Sequence, residues 1–161
     1  MRNHLTQARA RQSGFSIIEL LIAVGIIAIF TTIAIPSLTA VSARTKTKNV
    51  AAELYAALSK TRSEALLRNT SITVTAKSGS WQNGWTITNP ATTLAAIEDH
   101  GALSGVNVVG PASVTFNASG RLPSVAPPTF DVSSSVSSAA AAACISVDLT
   151  GRLYMKSASA C

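Results

Sequence analysis

A single carboxylate stands near the start of the longest apolar stretch of this chain. Glu19 follows the run from Gly14 to Ile18, and no further charged residue occurs before Arg44. A helix of about 20 apolar residues is long enough to cross the ~30 Å hydrocarbon core of a bilayer. Because an ionised carboxylate in such a helix costs about 2.5–3.5 kcal/mol on insertion scales, Glu19 requires either a cationic partner or a position near the interface, where its side chain reaches water.

Three residues in a characteristic order precede the apolar run: a glycine, Gly14, a phenylalanine, Phe15, and the acid Glu19. This stretch, GFSIIE over residues 14–19, resembles the prepilin processing site of type IV pilins and type II secretion pseudopilins. The resemblance implies that prepilin peptidase cuts after Gly14 and that the new N-terminal Phe15 becomes N-methylphenylalanine. The amine of a neighbouring subunit would then be the cationic partner of Glu19, so that two costly charges neutralise each other as helices pack in a filament.

The first 14 residues are polar and contain three arginines and no acid, which is typical of a targeting segment. The whole chain of 161 residues has 13 basic and 7 acidic residues, and removing residues 1–14 leaves 10 basic residues and a net charge of +3. That excess does not by itself indicate nucleic-acid binding. Basic residues ahead of the span predict a cytoplasmic N-terminus and a body on the other side of the membrane. The resemblance implies that this membrane is the bacterial inner membrane, crossed in a single pass, with the C-terminal domain in the periplasm.

An ordinary secretory signal peptide is the alternative interpretation of this N-terminus, with Val41-Ser42-Ala43 as the cleavage site. The apolar run, however, is longer than the roughly 7–15 residues usual in a signal peptide, and cleavage at Ala43 would leave Glu19 without a role. The sequence therefore favours a retained helix.

Helical periodicity continues beyond the apolar run. Pro36 predicts a kink, which membrane helices tolerate, and Asn69 indicates the end of the helix. One face of the second half is apolar and predicts packing against another element; its residues are Val50, Leu54, Leu58, Ala65 and Leu66. We therefore expect one long kinked helix from Phe15 to about Arg68.

Beyond the helix the chain alternates apolar and polar residues, which indicates β-structure. Trp81 and Trp85 are expected to pack in the core of this region rather than bind a ligand. A flexible loop is expected over residues 133–143. The predicted strands lie at residues 72–76, 85–88, 94–97 and 106–109, with a possible edge strand at 130–132.

A short internal repeat occurs in the C-terminal part. Residues 114–122 (VTFNASGRL) and 145–153 (ISVDLTGRL) both read apolar, hydroxyl, apolar, Asn or Asp, any residue, hydroxyl, then Gly-Arg-Leu. Asn or Asp followed three residues later by Gly indicates a type I turn with a bulge. We expect two β-hairpins, each with an arginine, Arg121 or Arg152, at the exit of its turn.

Two cysteines, Cys144 and Cys161, lie close together in the C-terminal part. An even number of cysteines in a domain predicted to be translocated indicates a disulfide, which is worth about 3 kcal/mol for a loop of this size. Because no histidine is near, the pair makes a poor zinc site, and no metal is expected.

The chain thus divides into four parts. Residues 1–14 are the basic leader, 15–40 the transmembrane half of the helix, 41–69 its amphipathic half, and 70–161 a periplasmic β-sheet domain with a C-terminal disulfide loop. The predicted fold class is α+β and pilin-like: a long kinked N-terminal helix packed on an antiparallel sheet.

Features of the domain refine the resemblance. The segment TRSEA over residues 61–65 and the two Gly-Arg turns are similar to the GspH/FimT branch of pilin-like proteins, and a cysteine pair with a Gly-Arg between resembles FimT- and FimU-like minor pilins. The branch implies a structural subunit that helps prime or cap type IV pilus assembly. Its partners would be other pilins or pseudopilins, prepilin peptidase and inner-membrane lipid. A minor pseudopilin of the type II secretion system, acting in protein secretion, is the alternative with the same fold.

DNA binding for natural transformation is a further alternative. Some FimT-like minor pilins bind DNA through a C-terminal Gly-Arg-x-Arg motif, and here Tyr154 stands in place of the second arginine, with Lys156 two residues on. In a strand, Arg152, Tyr154 and Lys156 would share one face and offer two phosphate contacts and a stacking ring. The competing interpretation is that Arg152 and Arg121 support the turns or pair with Asp148 and Asp131.

An enzyme is not expected. His100 is the only histidine outside the leader, and the sequence contains no HExxH, GxSxG or glycine-rich phosphate loop. The sequence therefore predicts no catalytic residue and no cofactor.

Overall fold

The computed structural model describes residues 15–91, 95–137, 142–158 and 161, and within the helix it leaves out the side chains of residues 32–37. The chain falls into two compact units, Met1–Ser37 and Leu38–Cys161. The predicted leader, including Gly14, lies outside the described residues, and so does the side chain of Pro36. The kink at Pro36 therefore stays a prediction.

Helix α1 runs from Ile17 to Arg68 and passes through both units. In the first unit its large apolar side chains are exposed, among them Ile17 at 81%, Ile18, Leu20, Leu21, Ile22, Val24, Ile26, Ile27, Ile29 and Phe30. Within the residues that the structure describes, no helix combines the length and the apolarity that crossing a membrane requires.

In the second unit α1 buries one face, with burial recurring every three or four residues as an amphipathic helix requires. Thr47 and Thr61 lie on this face, and their hydroxyls donate to the carbonyls of Ala43 and Ala57 at 3.0 Å and 2.7 Å, so no polar atom is buried unpaired there. Leu66, expected on the same face, is instead 49% exposed. The buried apolar residues of the face are Ala43, Val50, Ala51, Leu54, Ala57, Leu58 and Ala65.

In the part of the chain that the structure describes, eight strands form two antiparallel four-stranded sheets. The first sheet has the order β3-β2-β1-β5 and the second β4-β6-β7-β8. Short 3₁₀ turns occupy Lys77–Gly79 and Trp81–Asn83 between β1 and β2. The long helix and the antiparallel sheets confirm the predicted α+β, pilin-like fold. The strands are β1 (Ile72–Ala76), β2 (Trp85–Ile87), β3 (Glu98–Asp99), β4 (Val106–Val109), β5 (Ser113–Phe116), β6 (Thr129–Ser134), β7 (Ala143–Val147) and β8 (Leu153–Ser157).

One hydrophobic cluster joins the helix face to both sheets. Trp81 and Trp85 are almost fully buried in it, which confirms that they are core residues. Trp81 meets the ring of Phe130 edge-on at 5.1 Å, so an aromatic pair links the 3₁₀ turn to the second sheet. The Trp81 indole N–H donates to the carbonyl of Pro111 at 2.8 Å, which satisfies its polar atom.

Two strand predictions were wrong. Of the strand expected at 94–97, residue 94 lies outside the described residues and 95–97 are not in a strand; pairing with β2 begins one residue later, at Glu98. The segment around Phe130 is not an edge strand but an interior strand, β6, between β4 and β7. β6 continues to Ser134 and β7 begins at Ala143, so the loop is shorter than expected, and residues 138–141 of it lie outside the described residues.

Candidate functional site

The two repeats fold into turns with the same hydrogen bonds. In the first turn Asn117 Oδ1 accepts from the backbone N–H of Ser119 and Arg121, at 3.0 Å and 2.9 Å. In the second, Asp148 Oδ1 accepts from the N–H of Thr150 and Arg152, at 2.8 Å and 2.9 Å. In both, the hydroxyl of residue 119 or 150 also donates to that oxygen. The predicted type I turn followed by a bulge is confirmed twice, since Gly120 and Gly151 have φ of 69° and 82°.

The two turns touch each other through their glycines. A Cβ on Gly151 would collide with the carbonyl oxygen of Gly120, so only glycine fits between the turns. Arg62 of α1 completes the contact, because its Nε donates to the same Gly120 carbonyl at 3.1 Å. The structure thus brings together three segments that are far apart in sequence, and Arg62 is the member that sequence reasoning did not assign to the site.

Only one of the two repeats is a β-hairpin. β7 and β8 pair around the second turn. After the first turn the chain leaves the sheet, because Leu122 donates its N–H to Leu149 of the second turn at 3.2 Å and buries its side chain in the core. Pro123 follows and has no N–H to continue a ladder. The hairpin predicted for the first repeat, residues 114–122, was therefore wrong, and the hairpin predicted for residues 145–153 is confirmed.

Three exposed side chains lie on one face of the chain at β8. Arg152 comes directly before the strand, and Tyr154 and Lys156 are in it. The guanidinium carbon of Arg152 is 5.2 Å from the centre of the Tyr154 ring, which is a cation–π distance. Tyr154 Oη in turn approaches Asp148 Oδ2 at 3.4 Å. This arrangement leaves a ring and two cations facing solvent beside the paired turns.

Of the two roles in the competing interpretation, support of the turns or an ion pair with Asp148 and Asp131, the described residues show no ion pair for either turn arginine. Within the described residues, the basic partners in ion pairs are Lys60, Arg68, Lys77 and His100. Asp148 meets Arg152 only through the backbone N–H, and Asp131 accepts the N–H of Cys161 at 2.7 Å. The Thr150 hydroxyl, with the backbone N–H groups of Arg152 and Thr150, holds the pKa of Asp148 below its usual value.

Phe15 and Glu19, the predicted processing and assembly residues, lie in the first unit. Phe15 is 78% exposed just before α1, and Glu19 is exposed in the first turn of that helix, where a carboxylate is favourable to the helix dipole. Within the described residues no cation forms an ion pair with Glu19. This part of the helix therefore presents an acid beside a broad area of exposed apolar side chains.

Cys144 and Cys161 form the predicted disulfide, with their Cα atoms 5.2 Å apart. Together with Asp131 they are the one group of potential metal ligands that the described residues bring together. The two sulfurs are bonded to each other, and Asp131 Oδ1 accepts a hydrogen bond from the Cys161 backbone N–H. The chemistry of this group therefore fits a disulfide and not a metal site.

Comparisons with known proteins agree with this architecture. Two crystal structures of the type IV minor pilin FimU of Pseudomonas aeruginosa (strain PAO1) share the fold. The crystal form in space group P21 matches with 23% identity and a TM-score of 0.61, covering 70% of this chain and 90% of that one. The form in P65 matches with 23% identity and a TM-score of 0.58, covering 68% and 91%. A comparison with curated proteins finds no match.

Two family matches cover most of the sequence. Residues 9–35 match the prokaryotic N-terminal methylation motif. Residues 50–151 match the family described as type II transport protein GspH, and this range includes Arg62 and both turn glycines. Since that match spans more than half of the chain, the chain belongs to the GspH family, as a GspH/FimT-like type IV pilin.

Proposed function

We propose that this protein is a minor pilin, a structural subunit that is anchored in the bacterial inner membrane and then assembled into a type IV pilus. The observation that carries the proposal is the match of residues 9–35 to the N-terminal methylation motif, a range that includes Phe15, Glu19 and most of the apolar first part of α1. Membership of the GspH family and the fold shared with FimU support it.

In the proposed cycle, prepilin peptidase removes residues 1–14 and Phe15 is methylated. Residues 15–40 anchor the subunit in a single pass, with the N-terminus cytoplasmic and residues 70–161 in the periplasm. The absence of charge between Glu19 and Arg44 supports this anchor, because a charged residue at the bilayer centre is costly. On assembly Glu19 pairs with the N-terminal amine of a neighbouring subunit, and the exposed apolar side chains of α1 pack against other pilin helices.

The finer role that we propose is priming or capping of the filament. A pseudopilin of the type II secretion system is the alternative, and the description of the matching family favours it as much as the FimU fold favours the pilus. Deleting the gene and complementing it with the full chain distinguishes the two. A minor pilin restores pili counted on cells by electron microscopy and leaves secretion of folded proteins unchanged; restored secretion with unchanged pilus number contradicts the pilus assignment.

DNA binding is a second candidate function, because Arg152, Tyr154 and Lys156 face solvent beside the turn that carries Arg121. Two or three phosphate contacts predict weak binding that weakens further with salt. A gel-shift titration of the purified protein in detergent with duplex DNA tests this. The Arg152→Ala, Lys156→Ala double variant is expected to lose most of the binding. Arg68→Ala, which removes an exposed cation elsewhere, is expected to bind as the wild type does. Equal binding by the double variant and the wild type would reject the site.

A further inference from the structure

The free edge of β5 differs from the other sheet edges. β3 is two residues long and its acids pair with Lys60 and Lys77, β4 lies against the 3₁₀ turn Trp81–Asn83, and β8 carries Lys156. Short strands, covering segments and edge charges are the devices by which proteins prevent unwanted strand pairing. β5 reads Ser-Val-Thr-Phe and contains neither a charge nor a proline. As far as the described residues show, its edge is thus left open to another strand.

The register of β5 defines which backbone groups face that edge. Ala76 donates its N–H to Ala112 at 3.0 Å, so the hydrogen-bonded pairs between β1 and β5 continue at Val74 with Val114. Ser113 and Thr115 lie between these pairs, and their N–H and C=O groups point away from β1. Among the described residues no backbone hydrogen bond reaches those groups. These N–H and C=O groups are the ones with which a strand added at this edge would form hydrogen bonds.

A groove of about 660 Å³ runs along this edge. Its lining includes Val109 and Pro111 before β5, Leu122 and Pro123 after the first turn, and Pro127 and Pro128 before β6. Asp131 is the single ionisable residue of the lining, and one of its oxygens already accepts the Cys161 N–H. A charged ligand would find no free cation and little free anion here, whereas an uncharged extended backbone would find both donors and acceptors.

Exposed apolar side chains border the same region. Val125, at the tip of the proline-rich segment, is 98% exposed, and Val109 is 66% exposed. Val125 lies on a loop whose prolines restrict its backbone, and it adds exposed apolar area beside the unpaired backbone groups of Ser113 and Thr115. The combination of free backbone groups, an uncharged groove and an apolar border indicates a protein strand as the ligand.

We propose that the edge of β5 is a docking site for an extended, uncharged strand of another pilin subunit, which pairs with Ser113 and Thr115 and lies in the groove. The inference rests on the proposed function for the identity of the partner as a pilin. A strand added at this edge would extend the first sheet from four strands to five.

The test uses the full chain expressed in a strain that lacks it. Ser113→Lys places a charge at the free edge, and Thr75→Lys places the same charge on the same sheet at the residue paired with Ser113, inside the sheet, as a matched control. When the proteins are present in cells in equal amounts, the amount of the Ser113→Lys variant in sheared filaments is expected to be about tenfold lower than that of the wild type. The loss of two backbone hydrogen bonds of typical net strength accounts for that factor. The Thr75 variant is expected to remain within about twofold of the wild type, since it disturbs no edge group.

A second experiment does not depend on how well the lysine variants fold. A photo-crosslinking amino acid is placed at position 113, and a control protein carries it at position 75. The expected product is a covalent link from position 113 to one extended segment of another pilin, identified by mass spectrometry, with none from position 75. Normal incorporation of Ser113→Lys, or no position-specific link, would overturn the docking site. Absence of the wild-type protein from filaments would instead contradict the proposed function.

Discussion

The side chain of Arg62 on α1 donates a hydrogen bond from Nε to the backbone carbonyl oxygen of Gly120, at 3.1 Å. The same carbonyl lies against Gly151, so one arginine of the helix fixes the place where two equivalent turns meet. This contact gives a physical reason for the presence of an arginine at position 62 and of a glycine at position 151. It links α1 to the turn that comes directly before Arg152 and Tyr154.

Replacing Arg62 with alanine should destabilise the folded protein, because the Gly120 carbonyl loses a charge-assisted donor. The expected loss is about 1.5–3 kcal/mol in the free energy of unfolding, measured by urea titration of the full chain in detergent. Arg68→Ala is the control: Arg68 pairs with Glu64 at 2.6 Å on the surface, and its loss should cost at most about 0.5 kcal/mol. Equal effects of the two substitutions would show that the Gly120 contact contributes nothing specific.

Gly151→Ala should be more destabilising than Gly79→Ala, although both glycines have a positive φ. A Cβ at position 79 meets no atom within 4 Å, so only the left-handed backbone penalty of about 1–2 kcal/mol applies. At position 151 the same penalty is joined by the collision with the Gly120 carbonyl, which we expect to add about 1–3 kcal/mol. The comparison is made by urea unfolding, and equal losses at the two positions would contradict the close contact of the turns.

The second turn should weaken in acid, and the first should not. The Thr150 hydroxyl and neighbouring backbone N–H groups lower the pKa of Asp148 from its usual 3.8, so its contribution is present above that pH and is lost as pH falls through the lower value in the folded protein. Asn117 accepts the same set of hydrogen bonds without titrating. Asp148→Asn should therefore retain the turn and reduce the loss of stability as pH falls below 3.8, as followed by NMR of the Thr150 and Arg152 amides. An unchanged acid dependence in this variant would show that Asp148 is not the responsible group.

Removing the disulfide should cost about 3 kcal/mol in the free energy of unfolding, as expected for closure of a loop of sequence separation 17. The double variant Cys144→Ala, Cys161→Ala and the reduced wild-type protein should show similar losses in thermal unfolding. If reduction leaves the unfolding temperature unchanged, the bond does not constrain the unfolded chain as proposed.

Local patterns predicted the parts of the fold that depend on local interactions. The buried positions of α1 and the two turns follow from spacing that a reader of the sequence can count, because helix periodicity and turn chemistry act within a few residues. The register of Arg152, Tyr154 and Lys156 on one face follows in the same way from strand alternation.

Contacts between distant segments could not be read in this way. The acceptor of Arg62 lies 58 residues away, and nothing in a helix-surface arginine specifies it. The flanking Pro and Ser residues predict an edge strand at Phe130, whereas its partners in β4 and β7 make that strand interior. Periodicity alone places Leu66 on the buried face, but Leu66 lies in the last turn of α1, beside Gly120, and is 49% exposed.

We propose that this chain is processed as a pilin and assembled through the residues that follow Gly14. The proposal is tested by mass spectrometry of the protein isolated from sheared filaments. The expected result is a mature N-terminus at Phe15 carrying one N-methyl group. A mature N-terminus near Arg44, or an intact Met1 in protein found only in the soluble fraction, would contradict it.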